Sequence, residues 1–264
     1  MILLLGGSGR LGRRLRVAFA EVGVDHVAPP RDVLDATDQD AIVRYARDFG
    51  ARLLVSTVAF ADVPGCDADP RRAFSSNEHA TYQACSAAER LGIPLLWTST
   101  DYLSACAVDG APSLPLSPLV GPGAPWFGAY CESKMLGEDA VVAAATRGVF
   151  ATACRVAFAD PDDALRWTWI DGFQLSNREW VEGTAYRFAK LSRDVLRGRR
   201  LPAVVHLGPE TALTRLDLVR ARFPDHPAFR GVDRRIALCN ADRVRRFGAN
   251  PVPGDSRMAG LLDP

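Results

Sequence analysis

Apolar positions along this chain change period again and again. Ile2–Leu5 is an unbroken apolar run stopped by two glycines, which reads as a buried strand. Over residues 10–22, Leu11, Leu15, Val17, Phe19 and Val22 form a rough apolar stripe, which predicts a helix. The exchange then repeats, with strands predicted at 24–28, 53–57, 94–98 and 150–156 and helices at 38–49, 78–91 and 130–145. Acidic residues open the 38–49 helix, where they suit its positive end, and Gly92 closes the 78–91 helix. Strands and helices alternating at these lengths predict parallel βαβ units in an α/β, Rossmann-type doubly wound parallel sheet.

Two stretches break the rhythm. Residues 105–127 hold five prolines and three glycines, and are predicted to be a long loop over the carboxyl ends of the strands. Beyond residue 156 the periodicity weakens. Helices are expected at 187–196, 215–223 and 240–247 and a strand at 204–207. The expected organisation is a dinucleotide-binding core over 1–156 that carries the chemistry. A small lobe over 157–264 is expected on the substrate side, interleaved with the core and not an independent domain.

The clearest motif is Gly6-Gly7-Ser8-Gly9-Arg10-Leu11-Gly12, between the first strand and the first helix. Gly6, Gly9 and Gly12 are spaced for a tight turn, a close backbone approach to a pyrophosphate and close helix–strand packing. The following helix start offers free N–H groups to phosphate. The loop therefore predicts a nicotinamide dinucleotide, with Ser8, Arg10 and Leu11 among its contacts. After the second strand the chain reads Ala28-Pro29-Pro30-Arg31-Asp32. Arg31, helped by Arg10, is a candidate for a 2′-phosphate, which points to NADPH. Asp32 would instead serve a ribose diol, so NADH stays open. Asp35 and Ala36 are candidate adenine contacts.

Tyr130 and Lys134 are four apart on a predicted helix and so share a face. A carbonyl reductase needs a proton donor for the oxygen that forms as hydride arrives, and a neighbouring ammonium is expected to lower the tyrosine pKa toward neutrality. The fourth strand ends in Thr98-Ser99-Thr100-Asp101-Tyr102. Thr100 is a candidate to orient both the carbonyl and Tyr130, with Ser99 as its competitor. Glycine loop, hydroxyl and Tyr-x-x-x-Lys in this order are far more specific together than any one of them alone.

Composition narrows the remaining classes. Apolar residues make up 48% and charged residues 24%, enough for a sizeable core. Thirty-two basic and 31 acidic residues leave a net charge of +1, which excludes the basic footprint of a nucleic-acid binder. No apolar run is long enough to span a membrane, and the first residues lack the basic region of a signal peptide, so a cytoplasmic protein is expected. The six cysteines form no C-x-x-C pair, and His26, His79, His206 and His226 have no metal-ligand spacing, so no metal is expected. Cys131 is of interest because it follows Tyr130.

These residues resemble an extended short-chain dehydrogenase/reductase, nearest the dTDP-4-dehydrorhamnose reductase family. The matching stretches are 6–12, 34–38, Val63 with Asp67, Ala73-Phe74 with Asn77, 99–102, and 130–134 continuing into Leu136-Gly137-Glu138. Weaker echoes are found at 183–186, 205–208 and 240–248. The resemblance implies a nicotinamide-dependent 4-ketoreductase of a nucleotide-linked deoxysugar. Thr100 would orient the carbonyl, Tyr130 would give the proton, and Lys134 would hold the nicotinamide ribose. Asn77 would steady this region, and Thr57, Val58 and Ala59 would line the cofactor. Asp101 and Tyr102 would meet the substrate, and a homodimer is an open expectation.

The chain departs from the family where Ser56-Thr57-Val58-Ala59 replaces an Asn-Ala-Ala-Ala run and where Pro64 replaces an acid. Residues 155–184 are shorter than the family pattern, so the substrate lobe is expected to be shortened. Trp167, Trp169, Phe173 and Trp180 fall there, and Trp169 and Trp180 are candidate stacking residues for the substrate. These departures keep two other readings open. One is reduction of a non-sugar ketone or imine in secondary metabolism, and the other is a non-catalytic, NADP-binding regulatory or scaffold protein.

Overall fold

The computed structural model describes residues 1–103, 128–164, 179–209 and 215–225. The long loop expected at 105–127, Trp167, Trp169, Phe173 and the helix expected at 240–247 lie outside the described residues, as do Cys106, Cys239 and His226.

Six parallel strands form one sheet. They are β1 (Ile2–Leu5), β2 (His26–Val27), β3 (Leu53–Ser56), β4 (Leu95–Thr100), β5 (Ala151–Val156) and β8 (Val204–Leu207), in the order β2-β1-β3-β4-β5-β8. Between β5 and β8, two short strands, β6 (Phe158–Ala159) and β7 (Glu179–Trp180), pair with each other alone. The helices are α1 (Arg10–Glu21), α2 (Gln39–Asp48), α3 (Val63–Ala68), α4 (Pro70–Phe74), α5 (Ala80–Leu91), α6 (Ala129–Thr146), α7 (Pro161–Ala164), α8 (Val181–Leu196) and α9 (Arg215–Arg222).

Strand residues alternate between two cores. Ile2, Leu4, Leu53, Val55, Leu96 and Cys154 face one side, where Leu11, Leu15 and Phe19 of α1 and Phe188 and Val195 of α8 cover them. Leu3, Leu5, Leu54, Leu95, Trp97 and Ala153 face the other, beneath α2, α5 and α6. Burial on both faces is why these strands read as continuous apolar runs.

The element boundaries differ from expectation where tertiary contacts decide them. The second strand shrinks to two residues, because among the described residues it is an edge strand paired only to β1, and it is followed by Pro29 and Pro30. The fourth strand runs on to Thr100, since β5 pairs with it over its whole length. Two short helices, α3 and α4, fill the stretch before Asn77, and a π turn at Ser75–His79 joins α4 to α5. The helix expected at 187–196 begins six residues earlier, at Val181, where it packs on α1. Past residue 156 the chain also adds β8 to the main sheet, so sequence order and sheet order interleave.

Close backbone contact at the first loop explains two of its glycines. Gly6 adopts φ +81°, and a Cβ there would fall 2.8 Å from the Val58 nitrogen. A Cβ on Gly12 would lie 2.2 Å from the Gly6 carbonyl oxygen. Backbone cannot yield as a flexible side chain can. Gly12→Ala is therefore expected to destabilise the protein by about 1–3 kcal/mol, read as a lower urea midpoint at unchanged slope.

Candidate active site

The order of strands reverses between β1 and β3, and the crevice at their carboxyl ends is where open α/β sheets bind ligands. Thr57 closes its floor. Its backbone N–H donates to the Leu5 carbonyl at 2.9 Å, and its hydroxyl lies 3.1 Å from both the Leu5 and Gly6 carbonyls. Gly6, Thr57 and Val58 are thus brought together, as the sequence suggests.

Gly9 caps α1, and among the described residues no side chain hydrogen-bonds to that cap and the first turn holds no acid, so the leading N–H groups can receive an anion. The uncapped helix start and the glycine contacts fit a pyrophosphate. Arg10 is drawn elsewhere: its Nε pairs with Asp163 at 2.9 Å, while Arg14 pairs with Asp162 at 3.6 Å. Arg31 is largely exposed and lies 3.6 Å from Asp35. Asp35 accepts from the backbone N–H and hydroxyl of Thr37, and the backbone contact is the main reason its carboxyl is held below the usual range. Ala36 is buried in the α2-side core.

The second half of the site forms where β4 meets α6. Thr100 is hydrogen-bonded to the Tyr130 phenol. Lys134 is 2% exposed; its ammonium donates to the Thr98 carbonyl at 2.7 Å and stands 3.8 Å from the centroid of the Trp97 ring. One expectation is overturned: the lysine does not pull the tyrosine pKa down. Burial pushes the phenol well above its ordinary value, with Thr100 opposing only in part, because the ammonium is turned toward β4. Burial also lowers Lys134 from 10.5 to about 7, against the pull of Glu138.

Glu138, Asp67 and Asn77, which lie in the stretches that carry the family resemblance, support the site, together with Arg155, which the sequence reading did not single out. Glu138 accepts from the Ser99 hydroxyl at 2.6 Å and from Arg155 Nε at 3.0 Å and Nη2 at 2.5 Å. Both members of this pair are about 5% exposed. A lone arginine inside the apolar strand Ala151–Val156 was the available signal, since buried charges require partners. Asp67 of α3 caps α6 from outside, accepting from the Ala129 N–H at 2.9 Å. Asn77, fully buried, accepts from the Phe60 N–H and donates to the Phe60 carbonyl and the Ser133 hydroxyl. Its amide braces the 57–60 loop against α6.

Among the candidate substrate residues, Asp101 and Tyr102 begin a 3-10 turn straight after β4. The Tyr102 ring meets that of Tyr130 edge-on at 6.0 Å. Trp180 is engaged by α9, with Arg222 over its ring at 4.8 Å and Phe223 edge-on at 5.7 Å. Cys131 is buried in a small cluster with Cys66 and Tyr130. Among the described residues, no group of three or more His, Cys, Asp or Glu is placed to hold a metal ion, and no helix is long and apolar enough to cross a membrane.

Comparison with known proteins agrees with this geometry. The family described as RmlD substrate binding domain matches residues 1–158. The dTDP-4-dehydrorhamnose reductase of Mycobacterium tuberculosis (strain ATCC 25618 / H37Rv) is 32% identical over 143 residues, covering 54% of this chain and 46% of that protein. The namesake from Mycolicibacterium smegmatis is 25% identical over 257 residues, covering 95% and 76%. The match to the mycobacterial protein thus spans about half of that protein's length. Among solved structures, dTDP-4-dehydrorhamnose reductase from Bacillus anthracis in complex with NADP superposes with a TM-score of 0.68 at 14% identity, over 84% of this chain and 79% of that one. UDP-glucose-4-epimerase from Stenotrophomonas maltophila with bound NAD reaches 0.69 at 15% identity, over 83% and 81%. At these identities the likeness establishes a shared Rossmann fold.

Two stability measurements probe the site. Glu138→Ala strands Arg155 and is expected to cost about 3–5 kcal/mol, whereas replacing both partners by methionine should cost much less; urea midpoints of the single and double variants check this. Lys134 holds its proton to about pH 7 when folded and to 10.5 in its ordinary state, so between these values the unfolded chain binds more protons. Stability should therefore rise with pH from 7 to 9 relative to Lys134→Met, by up to about 1.4 kcal/mol per unit. Parallel melts across that range read the difference.

Proposed function

The chain belongs to the RmlD substrate binding domain family, and from that premise we propose that it is an NADPH-dependent ketoreductase acting on a nucleotide-activated 4-keto-deoxysugar or a related polar ketone. The observation that carries this reading is the convergence of an uncapped, glycine-lined helix start with Thr100, Tyr130 and Lys134 at the carboxyl edge of one sheet. The curated relatives named dTDP-4-dehydrorhamnose reductase support the substrate class, and the structural neighbour solved with NADP supports the cofactor.

The reduced nicotinamide supplies the hydride when bound. The backbone N–H groups at the start of α1 would take the pyrophosphate, in the space that glycines keep open. Arg31, exposed beyond β2, would meet a 2′-phosphate at the cost of a weak surface pair with Asp35. Thr57 and Val58 form the floor beneath the crevice, and Asn77 fixes their loop to α6.

At the reacting end, Tyr130 stays protonated because its phenol is buried, so the proton is in place for the substrate oxygen. The Thr100 hydroxyl orients that phenol. Lys134 donates to the Thr98 carbonyl and would offer its remaining N–H groups to ribose hydroxyls. Its charge would also favour the tyrosinate left by proton transfer.

Purified protein is titrated with NADPH and NADH and then assayed for NADPH oxidation with a nucleotide-linked 4-ketosugar. NADPH should bind more tightly than NADH, and Arg31→Ala should erase the difference. Tyr130→Phe should lower kcat by about 10²–10⁴-fold and leave NADPH binding unchanged. Binding of neither dinucleotide would sink the reading. Sound NADPH binding without turnover on any nucleotide-ketosugar would move the substrate to a non-sugar ketone or imine.

A further inference from the structure

Trp97 on β4 has no exposed surface, and its indole Nε1 has no hydrogen-bond partner among the described residues. A buried N–H without a partner is costly, and a leucine would fill the same core with no polar atom to strand. The indole offers something a leucine lacks, a π face. Lys134 Nζ lies 3.8 Å from its centroid, close contact for a cation–π pair. The chain also makes room for the ring. A Cβ on Gly137, one turn beyond Lys134 on α6, would fall 2.5 Å from the Asn77 carbonyl oxygen and 3.0 Å from the nearest indole carbon, so the glycine serves both contacts.

The charges around this ammonium explain why the ring matters. Thr98 O is its one hydrogen-bond acceptor among the described residues. Burial strips it of water and favours the neutral amine. On α6 the opposing charge is Glu138, but that carboxylate is shared, since Arg155 of β5 grips both its oxygens and Ser99 of β4 donates to it. Asp101, beyond β4, acts on Tyr130, and Tyr130 itself stays neutral. The negative face of Trp97 is thus an unshared source of stabilisation in direct contact with the ammonium.

We propose that Trp97 is a positioning residue for the reaction set out above: its indole face holds the Lys134 side chain against β4 and favours its ammonium form over the neutral amine. The consequence for turnover rests on the reductase reading; the cation–π contact belongs to the chain itself. A neutral amine would lose the charge that favours a tyrosinate at Tyr130, so Trp97 acts through Lys134 and touches no reacting atom.

The chain has two lysines, Lys134 and Lys190, so protein labelled with 13C at lysine Cε gives two resonances whose pH titrations are read directly by NMR. Lys134→Met assigns them. In Trp97→Leu the Lys134 midpoint should fall by about one pH unit, and its CεH₂ protons should lose their upfield ring-current shift. Trp97→Phe should fall between wild type and Trp97→Leu, and Lys190 should not move. If Trp97→Leu does not fold, Trp97→Phe decides alone. A wild-type Lys134 midpoint in folded Trp97 variants would overturn the proposal.

The alkaline limb of kcat/KM for NADPH-dependent turnover should move down by the same interval as the lysine midpoint. An unmoved limb would overturn the positioning role. A shifted lysine midpoint in protein that reduces no ketone would leave the cation–π contact standing and overturn the reductase reading instead.

Discussion

Glu138 and Arg155 sit where neither could sit alone. Each is about 5% exposed, and an isolated charge at that depth would cost several kcal/mol or lose its ionisation. Held together, and joined by Ser99, they lock α6 to β4 and β5 at one register. Tyr130 and Lys134 ride on that helix, two turns and one turn before Glu138. The Thr100–Tyr130 hydrogen bond and the Lys134–Thr98 contact therefore inherit their geometry from this pair. At the helix start, Asp67 caps the first turn from α3, and Asn77 ties the same region to the 57–60 loop. A helix fixed at three points presents its side chains to the crevice with little freedom left to lose on binding.

The other half of the crevice is shaped by contacts that exclude side chains. Gly6 and Gly12 let backbone approach backbone, and Thr57 seals the seam where the strand order reverses. Charge near this loop is balanced. Arg10 and Arg14 at the start of α1 face Asp162 and Asp163 of α7, so a phosphate bound there competes with a carboxylate for Arg10. Exposed pairs of this kind are weak, so on the proposed reading the backbone N–H groups would supply the main attraction and Arg31 would read a 2′-phosphate.

Burial sets the electrostatic character of the reacting end. Removing water raises the tyrosine pKa and lowers that of the lysine, so both drift toward neutral forms. The tyrosine is thereby kept protonated, as the proposed proton donor must be. The lysine needs compensation, and it receives it from Glu138 and from the face of Trp97. A surface Tyr-x-x-x-Lys pair would titrate in the ordinary way; this one depends on the packing of β4 beneath it.

Local chemistry alone determined a good deal. The apolar runs, the glycine spacing after β1 and the order of loop, hydroxyl and Tyr-x-x-x-Lys are written in neighbouring residues, so the doubly wound sheet and the family were legible, and Thr100, Tyr130 and Lys134 could be proposed as the reacting set. What the tertiary structure decided depends on residues far apart in the chain. The short β2 follows from having one neighbour, and the long β4 from β5 lying alongside it. That β8 joins the main sheet, that Arg10 turns to Asp163, and that Lys134 lies over Trp97 rather than lowering the tyrosine pKa are all products of contact and burial. Periodicity records which face a residue takes; the partner it meets there, and how much water remains, exist only once the chain has folded.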